Sequence, residues 1–279
     1  MKEQNWQSIN GKFVGTNLGM KIATWNINSV RLRIQLVIDF LKESQCDVLC
    51  LQETKTQDEQ FPVQAIAKAG WPNIAIRGEK SYNGVAILSR LPLTDISHLN
   101  WTGRTDCRHI SAVVNGLTLH NFYIPAGGDE PDIDKNPKFS HKLKFIAEMT
   151  KHFSQQQPSR SILVGDLNIA PLAEDVWSTR QLRNTVSHTA IERENLLALV
   201  EQGGWTDSVR AHFGPKEVLF SWWSYRARDW VTSNRGRRLD HIWVSRDLAS
   251  KVEAVTIESA MRGAEKPSDH VPLTITLQP

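Results

Sequence analysis

Residues 161–170 read SILVGDLNIA. A continuous run rich in Ile, Leu and Val stops at Asp166 and Asn168, the pattern of a strand buried on both faces that delivers polar side chains at its end. The Asp166-x-Asn168 spacing puts both side chains on one face if the segment stays extended. The same form recurs along the chain. KIATWNI (21–27) ends at Asn26 and is followed by Asn28, and DVLCLQE (47–53) ends in Glu53. In the stretch RRLDHIWVS (237–245), Asp240 stands at a strand start, and Asp269-His270 opens HVPLTITL (270–277). Any one of these Asn or Asp residues alone reads more readily as a turn residue. Five such sites, each beside an apolar run, are the arrangement by which α/β proteins build a site outside the strand ends.

Between these runs the periodicity changes. Leu32, Leu36, Val37 and Phe40 recur at helical spacing and predict a helix over 30–45; Phe61, Ala65, Ile66 and Ala69 predict another over 59–69. YNGVAILSR (82–90), HISAVV (109–114) and LTLHNFYIP (117–125) read as strands joined by Asn-Gly turns. Helical spacing returns over 139–153 and over 192–202, where Gly203-Gly204 marks a stop. The order predicts a mixed-sheet α/β protein with both sheet faces covered. With no linker, low-complexity tract or short repeat, residues 20–279 read as one domain, preceded by a polar extension of low order over 1–19.

Of the 279 residues, 40% are hydrophobic and 23% charged, as in an ordinary soluble chain. No run approaches the ~20 apolar residues of a membrane span. The N-terminus MKEQNWQSIN lacks an apolar export core, and three cysteines make no disulfide framework, so the expected compartment is the reducing cytoplasm. The net charge of +3 names no partner. Glu and Asp at strand ends supply the hard oxygens that Mg²⁺ prefers. Zinc-type His/Cys spacing, a phosphate-binding GxxxxGK[ST] loop, GxSxG and HExxH are all missing from the sequence. Cys46 and Cys50 read as small core residues on and beside a buried strand. Asp240 or Asp269 could orient His270, since a carboxylate beside imidazole fixes its tautomer.

The motifs TWNINSVR (24–31), LQETK (51–55), FYIPAGG (122–128), GDLNIAP (165–171), RGRRLDHIWVS (235–245) and PSDH (267–270) stand in one order over residues 21–279. In this the chain resembles the exonuclease III family of abasic-site endonucleases, within the endonuclease/exonuclease/phosphatase superfamily. The resemblance implies a four-layer α/β sandwich of two mixed, mostly antiparallel sheets flanked by helices. It implies Mg²⁺, with Mn²⁺ as the alternative, held by Glu53 with Asn28 and Asp269 and approached by Asp166 and Asn168. It further implies that Asp166 activates or orients the attacking water, supported by Asn26, while Asn168 positions it. His270 would bind the phosphate with Asp240 as its partner, and Tyr123 would stabilise the transition state or the leaving oxygen.

Residues 220–238, FSWWSYRARDWVTSNRGRR, set five arginines (226, 228, 235, 237 and 238) against Asp229, with aromatic residues interleaved. Guanidinium groups suit phosphates, and flat rings suit an extruded sugar or base. Ten tryptophans fall in the chain, six of them between Trp177 and Trp243. Trp223 and Trp243 are expected in the core. By the resemblance Trp222 walls the pocket for an abasic sugar, Leu239 is a smaller wall residue, and Arg108 and Lys142 lie near the DNA backbone. Arg226 and Arg237 are further DNA-binding candidates. Two positions depart from the family's pattern: Ala126 stands where many relatives carry Asn or Gln, and Arg237 where some carry an aromatic wall. The acidic run DEPDID (129–134) reads as a solvated loop.

The expected function is cleavage 5′ of abasic sites in double-stranded DNA and trimming of damaged 3′ ends, by a monomer without an obligate protein partner or membrane contact. A phosphatase or phosphodiesterase acting on inositol or lipid head groups is the alternative, but it calls for an apolar membrane-facing loop in place of the arginine-rich run. A DNA-binding module without catalysis would lack Glu53, Asp166 or His270, and all three are present.

Overall fold

The computed structural model describes residues 19–227 and 229–278, together with the backbone of two short paired strands, β1 (Ser8–Ile9) and β2 (Lys12–Phe13). The expected extension over 1–19 and the predicted Arg228 otherwise lie outside the described residues. In chain order there follow β3 (Met20–Asn26), α1 (Ile34–Ser44), β4 (Val48–Gln52), α2 (Val63–Lys68), β5 (Asn73–Glu79), β6 (Tyr82–Ser89), β7 (Leu93–Ser97), β8 (His109–Val114) and β9 (Leu117–Tyr123). The second half comprises α3 (Pro137–Gln156), β10 (Ser161–Asp166), α4 (Thr179–Leu182), α5 (Ala190–Gln202), β11 (Trp205–Asp207), α6 (Ser208–Phe213), α7 (Trp230–Ser233), β12 (Asp240–Ser245), β13 (Val252–Ile257) and β14 (Leu273–Leu277).

Two six-stranded sheets form, in the orders β13-β14-β3-β4-β6-β5 and β11-β12-β10-β9-β8-β7. Each contains one parallel pair, β3 with β4 and β10 with β9, and is otherwise antiparallel. Strand alternation builds the layers. Ile22, Val48, Ile87, Ile162, Val164 and Ile242 fill the space between the sheets. Ala23, Trp25, Leu49 and Leu51 face outward under Val37, Phe40 and Leu41 of α1 and Ile66 of α2. Phe122, Leu163, Trp205 and Trp243 face outward under Phe145, Met149 and Phe153 of α3 and Leu196 and Leu199 of α5. The four-layer sandwich and the core positions of Trp223 and Trp243 are therefore as expected.

A polar seam crosses the apolar space between the sheets. Gln52 donates to Asn121 Oδ1 at 2.7 Å, and Asn121 returns bonds to the Leu51 and Ala86 carbonyls. Both side chains are fully buried, and unpaired amides there would each cost about 1–3 kcal/mol. The seam locks β4 to β9 one residue or two behind Glu53 and Tyr123.

Several details differ from the sequence reading. Helix α1 begins at Ile34, so Leu32 precedes it and is 60% exposed. Asn115-Gly116 does turn between β8 and β9, both with positive φ. Asn83-Gly84 instead lies inside β6; Lys80-Ser81 make the β5–β6 turn. Strands β5, β7, β11 and β13 and the short helices α4 and α6 were not expected from the sequence. Asn168 is not extended but left-handed at φ 53°.

Candidate active site

The parallel pairs point the C-terminal ends of β3, β4, β9 and β10 to one rim, and the antiparallel partners β12 and β14 begin there. Register then sets the side chains in a row: Tyr123 opposite Asp166, and Asp166 opposite Asp240. Just beyond the strand ends, Asn28, Glu53 and Asn168 all have left-handed φ near 50°. For non-glycine residues this costs of order 1–3 kcal/mol and persists only when the surroundings fix it. Here they do: the Asn28 and Asn168 backbone N–H groups donate to the side chains of Asn26 and Asp166, turning the chain back over the rim.

Asn26 is the hub. Its Nδ2 donates to Glu53 Oε1 at 2.9 Å and to Asp166 Oδ2 at 2.8 Å. Tyr123 donates its hydroxyl to the same Glu53 oxygen at 2.9 Å. Burial would raise the Glu53 carboxyl, but the Lys55 ammonium, the Asn26 and Lys55 hydrogen bonds and His270 outweigh it and hold it below the usual range. Burial, with the charges of Glu53 and Asp166, holds the Tyr123 phenol well above 10 and hence neutral.

On the other side His270 Nδ1 meets Asp240 Oδ2 at 2.8 Å, and its Nε2 lies 3.7 Å from Asp166 Oδ2. Asp240, not Asp269, is thus the partner of His270. Burial disfavours the imidazolium, but Asp240 and then Asp166 overcome that and push it up to about 10. Asp166 is pushed up to about 7: burial is the largest cause and Asp240 and Glu53 add to it, against His270 and Asn26. A carboxyl raised towards neutrality thus stands beside a firmly protonated imidazole. Asp269 accepts from Asn28 Nδ2 and from the Trp222 indole, both at 3.0 Å.

Two places could hold a cation. Ligand atoms of Asp166, Asp240 and His270 lie within 4.8 Å of one another. A protonated imidazole has no lone pair to give, so that trio is a charged hydrogen-bond relay. The better site is marked by the protein's own cation. Lys55 Nζ sits 2.6 Å from Asn28 Oδ1 and 2.7 Å from Glu53 Oε2. Two hard oxygens already converge there on one positive charge, the donor set Mg²⁺ or Mn²⁺ uses.

Not every candidate reaches the rim as expected. Lys142 is fully buried; its ammonium binds Glu192 at 2.5 Å and the Ala126 and Asn168 carbonyls, so it supports the loops from behind and offers nothing to a DNA backbone. Arg108 is 5% exposed, held by Asp106 at 2.6 Å and laid over the Tyr123 ring at 4.9 Å. It too braces an active-site residue from beneath. Arg226 is exposed. Leu239 packs with Ala170, Val176, Leu182, Trp177 and Trp222 beside the rim. Arg237 lies 5.2 Å over the Trp222 ring. Two contributors went unnoticed in the sequence. Lys55 lies inside LQETK without a role assigned to it, and buried Ser221 donates to Asp240 Oδ2 at 2.6 Å while accepting from two backbone N–H groups. Nothing in local sequence marks a serine 19 residues from its partner.

The family model described as Endonuclease/Exonuclease/phosphatase matches residues 23–270. An exodeoxyribonuclease of Bacillus subtilis is 32% identical over 266 residues, covering 92% of this chain and 99% of its own. The structure of an AP endonuclease from Archaeoglobus fulgidus superposes with TM-score 0.86 at 32% identity, over 92% of this chain and 99% of that one. A Neisseria 3′ phosphatase, solved bound to a product DNA hairpin, gives TM-score 0.86 at 32% identity, over 93% and 99%.

Proposed function

The chain belongs to the endonuclease/exonuclease/phosphatase family, and from that membership we infer a divalent-metal-dependent DNA-repair nuclease that hydrolyses the phosphodiester 5′ of abasic sites and trims 3′ ends. The observation that carries this reading is the pairing of a near-neutral carboxyl, Asp166, with a protonated imidazole, His270, 3.7 Å away on one rim. Both are pushed up, which lets the carboxyl accept a proton near neutral pH while the imidazole keeps its charge, one serving as base and the other as charge stabiliser.

Asp166 takes the proton of the attacking water. A base with pKa near the working pH is the efficient choice. Asn26 and Asn168, both bonded to Asp166, hold its plane. Water oxygen bonds to phosphorus and the bond to the 3′-oxygen breaks; that oxygen takes a proton from solvent, leaving a 3′-hydroxyl on one side and a 5′-phosphate on the other, and Asp166 returns its proton to solvent. His270, fixed by Asp240, faces the negative charge that grows on the phosphoryl oxygens, and neutral Tyr123 donates a hydrogen bond to the same group or to the leaving oxygen. Losing one such donor typically costs ~10²–10³ in rate. Glu53, with Asn28 and Asp269 beside it, would hold Mg²⁺, which supplies Lewis-acid neutralisation of phosphoryl charge when bound.

Duplex DNA is the substrate, and the exposed Arg226 together with Trp222 and Leu239 suits its backbone and an extruded sugar. Residues 20–279 act as one domain and a monomer in the cytoplasm; among the described residues no helix is long and apolar enough to cross a membrane. The reading is tested on an abasic duplex, a 3′-phosphate end and a recessed normal 3′ end, each with Mg²⁺ and with excess EDTA. Metal-dependent cleavage of the abasic duplex is expected. Inertness on all three, with turnover of inositol phosphates, would transfer the site to the head-group reading.

A further inference from the structure

Next to the rim stands a cation without a counterion. Arg237 is half-buried, and no carboxylate among the described residues lies within 4.0 Å of it. Its neighbour Arg238 shows the contrast: fully buried, it is bound by both Asp175 and Asp207. The acid nearest in effect to Arg237 is Glu192, but that carboxylate is already held by Lys142 and by the Ser187 and Thr189 backbone N–H groups. Both side-chain hydrogen bonds of Arg237 use Nη1, to the Val186 carbonyl and the Ser187 hydroxyl, both neutral acceptors. Its buried Nε has no partner, and Nη2 donates to none among the described residues. A partly buried cation without an opposite charge is costly, and groups of this kind cluster at functional sites.

Its position says which ligand. Arg237 exchanges two backbone hydrogen bonds with Trp222, and Trp222 is bridged in turn to His270. The guanidinium lies over the Trp222 ring, and the indole of that ring binds Asp269. The guanidinium thus sits on the segment paired through Trp222 to His270, and on the nuclease reading, in which Trp222 walls the pocket, that is beside the group 3′ of the scissile phosphate. Two residues earlier, Arg235 lies 4.7 Å over Trp177.

We propose that Arg237 turns this wall into an oxyanion subsite, so that the enzyme favours substrates in which the group 3′ of the scissile phosphate carries a second anion, either a carboxylate or a further phosphate. The planar fork matches both anions with paired N–H donors. The subsite rests on the nuclease reading above, and the substrates are chosen so that the two can fail separately.

The test uses duplexes with 3′-phosphodiester ends that differ only in charge: a 3′-phosphoglycolate, and a 3′-phospho-(2-hydroxyethyl) end of nearly the same shape. A second pair places an abasic residue either inside the strand, with its own 3′-phosphate, or at the 3′ terminus with a free hydroxyl. Full-length protein is compared with Arg237→Met, which keeps the length and the contact with Trp222, and with Arg237→Gln, which keeps hydrogen bonding without charge. Wild-type kcat/KM is expected to favour the anionic member of at least one pair by about tenfold, equivalent to ~1.4 kcal/mol. Both variants should bring that ratio near one through a higher KM for the anionic member only. Preference within the first pair assigns a carboxylate and within the second a phosphate. Equal wild-type rates within both pairs, or a ratio that survives both variants, would overturn the subsite. Inertness towards all four substrates would overturn the nuclease reading instead.

Discussion

Replacing Gly165 with Ala should damage the fold and the chemistry together. Gly165 lies opposite Phe122 in the parallel β9–β10 pair, one residue before Asp166. A Cβ at this position would fall 1.9 Å from the Phe122 carbonyl oxygen. Carbon–oxygen contacts between strands settle at roughly 3.3 Å, so the strands must part by about 1.4 Å at this point. The backbone is also at φ +142°, which L side chains rarely adopt. Overpacking contributes about 1–3 kcal/mol and the dihedral a further ~1–3 kcal/mol, so about 4 kcal/mol of stability is lost. For a chain of this size that lowers Tm by roughly 10 °C. The displacement also carries Asp166 away from Tyr123 and His270, and a ~1 Å error in a reacting group costs ~10²-fold in rate. Thermal melts of wild type and Gly165→Ala, with abasic-duplex nicking measured well below both midpoints, separate the two losses. Gly103→Ala is the control, with positive φ but nothing within 4 Å of its Cβ; it should lose no more than about 2 kcal/mol. If Gly165→Ala melts within 2 °C of wild type and nicks within threefold of it, the close approach of β9 and β10 does not position Asp166.

Three other outcomes are expected. Lys55→Met vacates the point between Asn28 Oδ1 and Glu53 Oε2, so calorimetry with Mn²⁺ alone should show roughly three- to tenfold tighter binding, the worth of one partly solvated ion pair; unchanged or weaker binding would place the metal elsewhere. His120 is half-buried on β9 and, by burial and then by His152, brought down to about 4. The unfolded chain, with histidine near 6.5, therefore binds more protons between those values, and stability is full above pH 6.5 and falls as pH drops towards 4, by up to ~3 kcal/mol from this residue. Urea melts at pH 7 and 4.5 should show that His120→Phe loses a large part of this dependence; an undiminished slope would assign it to other groups. Trp222→Ala should raise KM for abasic duplex more than it lowers kcat, and an effect confined to kcat would count against its place in the pocket wall.

How much of this was legible in sequence depended on the range of the interactions involved. The strands that carry the site were readable because they are buried on both faces and end in polar residues, as SILVGD and VLCLQ do. β7 and β13 were not, because each lies at a sheet edge, where exposed and buried residues mix. Arg33 and Lys142 look like surface charges at their own positions. The first is turned inward onto the Ile27 and Asn28 carbonyls and the second onto Glu192, 50 residues away. The residues alone left Asp240 and Asp269 both open as partner of His270; the resemblance chose Asp240, and the contact at 2.8 Å bears it out. That Asp166 and Asn168 converge was foreseen for the wrong reason: a left-handed turn at Asn168 brings them together.

The central claim is that water, activated by Asp166, attacks phosphorus on the 5′ side of the lesion. Incision of a duplex carrying a natural abasic site in ¹⁸O-labelled water, followed by mass spectrometry of both fragments, tests it directly. One labelled oxygen on the 5′-phosphate of the abasic fragment is expected, with an unlabelled 3′-hydroxyl on the other, and Asp166→Asn should give neither product. Label in the 3′-hydroxyl, or unlabelled fragments ending in an eliminated sugar, would contradict it.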